Sequence, residues 1–306
     1  MKRLLSAISL AAFLFAAVAL NAQDSSSKAP YHEPPALGLH WAKGSVNPNR
    51  PEIEPAAPAG HGKSPNMTWH SGAIMNDSAT ATIFWGTSWG NSSFVGDKIS
   101  GLDSWYTGHS GSNYAKTSDE YTGTNGQVGP NNSFGGHIID TTAAGSGAQT
   151  STILNEVCRR IANPVSNGYY AVYVDLKRGN AGYCAYHSYG SCGGVPVQFA
   201  FFWNLDGDPG CDPQDSTTGH SQGLAALANV SGHELAEART DPRNGGWYDS
   251  RGQENGDKCA WTFNVPSVSF SNGTQWKIQG EWSNAAYNAG TGYPNSSGQK
   301  GCLDGH

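Results

Sequence analysis

The sequence predicts an α/β (α+β) layered domain with a twisted mixed sheet, packed helices and a loop-rich C-terminal half. Three observations carry this. Short runs rich in aromatic and β-branched residues interleave with runs of helical period over the first 240 residues. Beyond Asp241 the chain turns Gly-, Asn- and Ser-rich, and its 40 Gly in 306 residues are nearly double the roughly 7% expected of an average protein. Aromatic residues make up 11% of the chain, enough to build a core and to exclude wholesale disorder.

Taken in order, Lys2 and Arg3, the apolar run 4–20 and the small residues Ala17, Ala19 and Ala22 read as a secretory signal, residues 1–22. Residues 23–66 hold eight of the 16 prolines and little apolar periodicity, which reads as an extended linker or a pro-segment. The globular domain is expected over 67–306. Residues 80–85 (TATIFW) read as a strand, 94–106 as a helix and 136–140 as a short strand. Residues 150–162 place Ile153, Val157 and Ile161 on one helical face. Residues 169–175 (YYAVYVD) and 195–203 (VPVQFAFFW) read as strands, the second at a sheet edge where an extended peptide could add. Residues 223–240 form a helix stopped by Asp241-Pro242, because the residue before proline avoids the helical region. One further strand is expected over 275–282.

Charge and cysteine count limit the function. The net charge is −6, and the basic leader contributes none of the acids, so the remainder is more acidic still. That excludes non-specific nucleic-acid binding, which needs a cationic surface, and binding to an anionic membrane. With the signal removed, the chain is expected to be a secreted monomer, extracellular or periplasmic, with no membrane attachment. Six cysteines without a C-x-x-C pair suit an oxidising compartment and disulfides, with fifteen pairings open.

The segment that carries chemistry is His233-Glu234-Leu235-Ala236-Glu237. Positions i and i+4 of a helix lie one above the other, so His233 and Glu237 can grip one ion while Glu234 projects beside them as a general base. The pattern is that of H-E-x-x-H metallopeptidases with the second His replaced by Glu, and it makes the expected domain zincin-like. Carboxylates bind zinc, although the added charge favours a harder metal. Downstream, in 247–259 (WYDSRGQENGDKC), Glu254 is the expected third ligand and Asp257 the residue that orients His233 from the edge of the metal site. Asp241 competes for the third position, and His187 and His220 are outside candidates. The expected cofactor is therefore Zn2+ or another divalent metal held by His233, Glu237, Glu254 and Asp257.

Two G-x-S-x-G matches, at 86–90 and 219–223, suggest a serine nucleophile, but neither has a suitable strand, helix and downstream His together. Seven N-x-S/T sequons include Asn229, one turn before His233 on the helix, where a glycan would not fit.

Several spaced stretches resemble the phosphate-induced protein 1 / EXORDIUM family of secreted proteins. They are 69–75 (WHSGAIM) leading into 82–86 (TIFWG), 169–175 leading into 184–187 (CAYH), and the helix ending Thr240-Asp241-Pro242 with Trp247-Tyr248 after it. The chain looks closer to secreted bacterial relatives that carry H-E-x-x-E-x-x-T-D-P followed by G-x-E-x-x-D-x-C, here 252–259. The resemblance implies export and fold more than it implies an enzyme. Two functions are thus expected to compete. One is a secreted zinc peptidase acting on a polypeptide substrate. The other is a non-catalytic extracellular protein of the EXORDIUM type, bound to a cell-wall component or polysaccharide through exposed aromatic rings, with at most a structural metal.

Overall fold

The structure is a computed structural model that describes residues 33–45 and 64–306. The expected signal and most of the Pro-rich stretch lie outside the described residues. In chain order the elements are β1 (Leu37–Trp41), β2 (Thr68–Trp69), β3 (Ser78–Trp85), α1 (Ser92–Val95), α2 (Lys98–His109), β4 (Thr122–Gly123), β5 (Gly126–Gln127) and β6 (Asn132–Asp140). There follow α3 (Thr150–Arg160), β7 (Gly168–Lys177), β8 (Tyr183–Cys192), β9 (Val195–Asn204) and α4 (Gln222–Thr240). The C-terminal half holds only short pieces: β10 (Trp247–Tyr248), α5 (Asn255–Lys258), β11 (Val268–Ser269), β12 (Gln275–Trp276), β13 (Glu281–Trp282), α6 (Asn284–Ala289), β14 (Tyr293–Pro294) and β15 (Lys300–Leu303).

The main sheet runs β1-β8-β9-β7-β3-β6 and is mixed. Strands β6, β3, β7 and β9 are parallel, while β8 pairs antiparallel to β9 and β1 antiparallel to β8. Strand β7 is buried from Gly168 to Val174, as an interior parallel strand covered on both faces must be. Side chains alternate between faces along β8. Tyr186 stacks on Phe201 on the face that meets α3, where Leu154 fills the space beside Gly190. His187 points the opposite way, toward α4. On that second face Tyr173 hydrogen-bonds Ser231 of α4 at 2.7 Å and Tyr106 of α2 at 2.8 Å.

Helix α4 is buried over every residue from Gly223 to Thr240, as expected of a helix that is small and apolar all round. The Ser221 hydroxyl caps its N-terminus by accepting from the Leu224 N–H at 3.2 Å. Asp241 ends it, and the Asp241 carboxylate accepts the Gly245 and Gly246 N–H groups at 2.7 Å. Asn229 is fully buried and accepts from the Gln279 N–H, so its sequon is no glycan site in the folded chain.

Four sequence expectations need correction. The strand at 195–203 is not an edge: β9 lies between β8 and β7, and the edges are β1 and β6. The edge strand β1 arises inside the stretch read as a linker, so the folded unit runs from Glu33 to His306 rather than from 67. The helix expected at 94–106 is split by Gly96, whose φ of 51° breaks the helical path. The strand expected at 275–282 is two short strands, β12 and β13, in different sheets.

Three disulfides, Cys158–Cys192, Cys184–Cys211 and Cys259–Cys302, close loops of 34, 27 and 43 residues. Loops of that size stabilise by about 3–4 kcal/mol each on a chain-entropy basis. The third ties the segment after α5 to the C-terminal strand β15. The disulfides fit an oxidising, extracellular setting. No described helix is long and apolar enough to cross a membrane.

Candidate metal centre

The site forms where α4 is crossed by β8, β1 and the turn into α5. Helix α4 supplies His233 and Glu237 from one face, with His233 Nε2 at 3.1 Å from Glu237 Oε1. The segment after Asp241 folds back over the helix because Gly256 carries no side chain: a Cβ there would lie 2.8 Å from His233 Nδ1 and 3.0 Å from Glu237 Oε1. That close approach lets the Asp257 N–H donate to Glu237 Oε1 at 2.8 Å and sets Asp257 Oδ1 3.9 Å from His233 Nε2. It also delivers Glu254, whose Oε1 lies 3.3 Å from His187 Nε2. His187 Nε2 is in turn 3.9 Å from Glu237 Oε2.

Two groups of donors result, His187–Glu237–Glu254 and His233–Glu237–Asp257, each with its ligand atoms within 4.8 Å of one another. Both could hold a metal ion, and they share Glu237. All four residues expected as ligands are brought together, but the set His233–Glu237–Glu254 is divided between the two groups, and His187 completes one of them. Asp257 stands on the Nε2 side of His233, among the donors, and not behind the ring. Gln279 takes the position behind the ring. Its amide nitrogen donates to Gly256 O at 3.0 Å and faces His233 Nδ1 at 3.0 Å, while its oxygen accepts from the Trp261 N–H at 3.2 Å. A definite donor and a definite acceptor thereby fix the amide, so His233 Nδ1 accepts and its proton sits on Nε2. A cation at Nε2 therefore requires the Gln279 amide to turn.

Of the other candidates, Asp241 borders the cluster: its Oδ1 is held by the turn after α4, while its Oδ2 is buried without a partner and its charge acts on Glu237 and Glu254. His220 stacks on Trp276 and bonds Gln275 O at 3.0 Å. Ser88 and Ser221 sit at helix starts, where the Ser88 N–H donates to Asp175 and the Ser221 hydroxyl bonds Asp97, with no histidine partner in either case.

The electrostatics of the cluster are unusual. His187, His233, Glu234 and Glu237 have no solvent exposure, and Glu254 has 3%. Burial holds the His187 and His233 imidazoles down to about 3, so both are neutral at ordinary pH, the state in which an imidazole can bind a cation. Burial, and then repulsion from neighbouring carboxylates, pushes Glu234 and Glu254 well above the usual range; burial does the same to Glu237. His233 Nε2, both oxygens of Glu234, Glu237 Oε2 and Glu254 Oε2 have no hydrogen-bond partner. Among the described residues no Lys or Arg pairs with Glu234, Glu237 or Glu254, and the nearby Lys258 is bound to Asp249 at 2.8 Å.

His40, on β1, joins the cluster unannounced. Its ring packs edge-on against His233 with centroids 4.2 Å apart, and its Nε2 meets Gln279 Oε1 at 2.9 Å. The alternation Leu37-Gly38-Leu39-His40-Trp41 was a period-two signal for this strand; its proline-rich surroundings concealed it. A cavity of about 210 Å³ opens beside β1 and is lined by Leu37, Gly38, Tyr248, Gln253, Glu254 and Asp257 among others.

Comparison with known proteins gives no match: no family model, no curated protein and no solved structure corresponds to this chain. The functional argument therefore rests on these side chains.

Proposed function

We propose that the chain is an exported metal-dependent hydrolase, a peptidase with zinc as its ion. One observation carries the reading. Three polar atoms, His233 Nε2 and Glu237 Oε2 on α4 and Glu254 Oε2 at the start of α5, are each buried without a hydrogen-bond partner. A buried unpaired polar atom costs roughly 1–3 kcal/mol, more when charged, and a divalent cation would repay several such costs at once. Imidazole and carboxylate together suit zinc, and the surplus of carboxylates also admits a harder divalent ion.

His187, His233, Glu237, Glu254 and Asp257 would hold the ion, which when bound supplies a positive charge to polarise a peptide carbonyl and acidify water. Glu234, one residue along from His233, contacts no ligand and is left to move the proton, first from water and then to the leaving amine. Its raised proton affinity is the property such a shuttle needs, once a neighbouring cation draws it back into the ionised form.

Elemental analysis of the purified protein and of Glu237→Ala tests the site, and a chelator-sensitive assay on casein tests the chemistry. The wild type is expected to retain about one equivalent of divalent metal, and Glu237→Ala to retain none. Glu234→Gln should keep the metal and lose about 10²–10⁴-fold in hydrolysis. Metal-free wild type would refute the site; unchanged hydrolysis in Glu234→Gln would refute the role of that residue. A full metal complement with no activity, even after residues 33–45 are released, would favour the extracellular binding protein with a structural ion. Against that alternative, Trp69 is the one exposed tryptophan among the described residues, so few indoles are placed to stack on sugars.

A further inference from the structure

Strand β1 is arranged in the opposite sense to a structural edge strand. Such a strand buries its large apolar side chains and turns the small and polar ones outward. Here Gly38 and His40 are buried, whereas Leu37, Leu39 and Trp41 are only half-buried. The inward face rests on the carboxylate–imidazole cluster. A Cβ at Gly38 would lie 1.8 Å from Glu237 Oε2 and 2.8 Å from His187 Nε2, so the backbone itself covers the donors. The strand pairs with β8 through an irregular ladder, Leu37 to His187, His40 to Ala185 and Trp41 to Tyr183, with register shifts between them. With β1 in place the imidazoles and Glu237 have no exposure, and no substrate can reach them.

We propose that residues 33–45 are a resident, detachable stand-in for substrate: they occupy the acceptor edge of β8, where an extended polypeptide with glycine over Glu237 and His187 adds antiparallel, and the protein is latent until they leave. The consequence for activity rests on the hydrolase reading above; the detachability of the strand does not. Specific contacts hold the segment. The Glu33 carboxylate accepts from the Ser151 N–H at 2.8 Å, the Ser188 hydroxyl donates to Pro35 O at 2.7 Å, and His40 engages Gln279. This last contact has its own effect. By holding the Gln279 oxygen, His40 helps keep the His233 proton on the nitrogen a cation needs, so departure of the strand should favour metal uptake. The segment belongs to the Pro-rich stretch between the leader and residue 67, and it meets the main core only through Ala42 and the half-buried Leu39 among its apolar residues.

The test uses the full chain with a site for a sequence-specific protease placed between residues 46 and 63 and cut under native conditions. A fluorescent synthetic peptide spanning residues 33–45 is then added in excess. The labelled peptide is expected to exchange into the cut protein, and the same peptide carrying Gly38→Ala to bind at least about tenfold more weakly, because a methyl group there collides with Glu237. Loaded with zinc and freed of the segment, the cut protein should hydrolyse casein at least about tenfold faster than the uncut chain, and the wild-type peptide should inhibit it. The proposal is overturned if the cut protein holds its fragment against any exchange, if it unfolds on losing the fragment, or if the alanine peptide enters equally well. Peptide exchange with correct discrimination but no metal uptake and no hydrolysis leaves the strand site standing and removes the hydrolase reading.

Discussion

Two buried acidic clusters in this molecule are handled differently. At the N-terminal side of the sheet, Asp140 and Glu156 are each 2% exposed, as buried as the candidate ligands. Arg159 and Arg160 lie on both of them, with Arg159 2.6 Å from Asp140 and Arg160 Nε 2.8 Å from the same carboxylate. Burial alone would raise Asp140, but the Arg160 hydrogen bond and the Thr142 contacts hold it well below the usual range, while burial and Asp140 itself raise Glu156. On α4 and at the start of α5, Glu234, Glu237 and Glu254 are equally buried, and no Lys or Arg among the described residues pairs with them. Burial is therefore not what sets the second cluster apart. The chain supplies its own counter-charge at one place and not at the other, and this difference is what the metal proposal rests on.

The contrast makes predictions of decreasing size. Saturating zinc at about a thousandfold above its dissociation constant should stabilise the folded protein by about 4 kcal/mol, read as a rise in melting temperature that a chelator reverses; no shift would place the two clusters on the same footing. Neutral substitutions should act in opposite directions. Asp140→Asn removes one of the two carboxylates that Arg159 and Arg160 share and should cost about 2 kcal/mol in denaturant unfolding with or without metal. Glu254→Gln relieves buried repulsion, so in chelated protein it should cost nothing or stabilise, while weakening metal binding. Gln279→Ala, which frees the ring behind His233, should change metal affinity by about 10–100-fold in a competition titration and leave the Asp140 cluster untouched.

The smallest effect is in pH. The raised carboxylates give the chelated protein stability that is present below their unfolded values and lost as pH rises through their higher folded values. The depressed imidazoles act the other way, with stability present above about 6.5 and lost as pH falls toward about 3. A cation competes with protons for both sets of groups. The gap in melting temperature between metal-loaded and chelated protein should therefore widen from pH 5 to pH 8, and a constant gap would sink the assignment.

Much of the site could be read from the linear chain, and the reason is helical geometry. His233 and Glu237 are four residues apart on one helix, so their proximity is local and follows from 3.6 residues per turn. Helix α4, with its stop before Pro242, and strands β3, β7 and β9 were legible for similar reasons of period and punctuation, whereas the Ser221 cap of α4 was not read. His187, Gln279 and His40 were not ranked with them, because each reaches the site across a long sequence separation through sheet pairing or loop packing.

The sequence by itself thus determined the mixed α/β class and the acidic helix, since these depend on local spacing and composition, and it pointed to Glu254 and Asp257 without fixing where they stand. Only the tertiary structure decided the order of the strands, the division of the ligands into two groups around Glu237, and the placing of Gly38 and His40 over them. Strand order depends on which apolar faces bury one another, and the Pro-rich segment carries too little apolar pattern to announce that its buried face is polar.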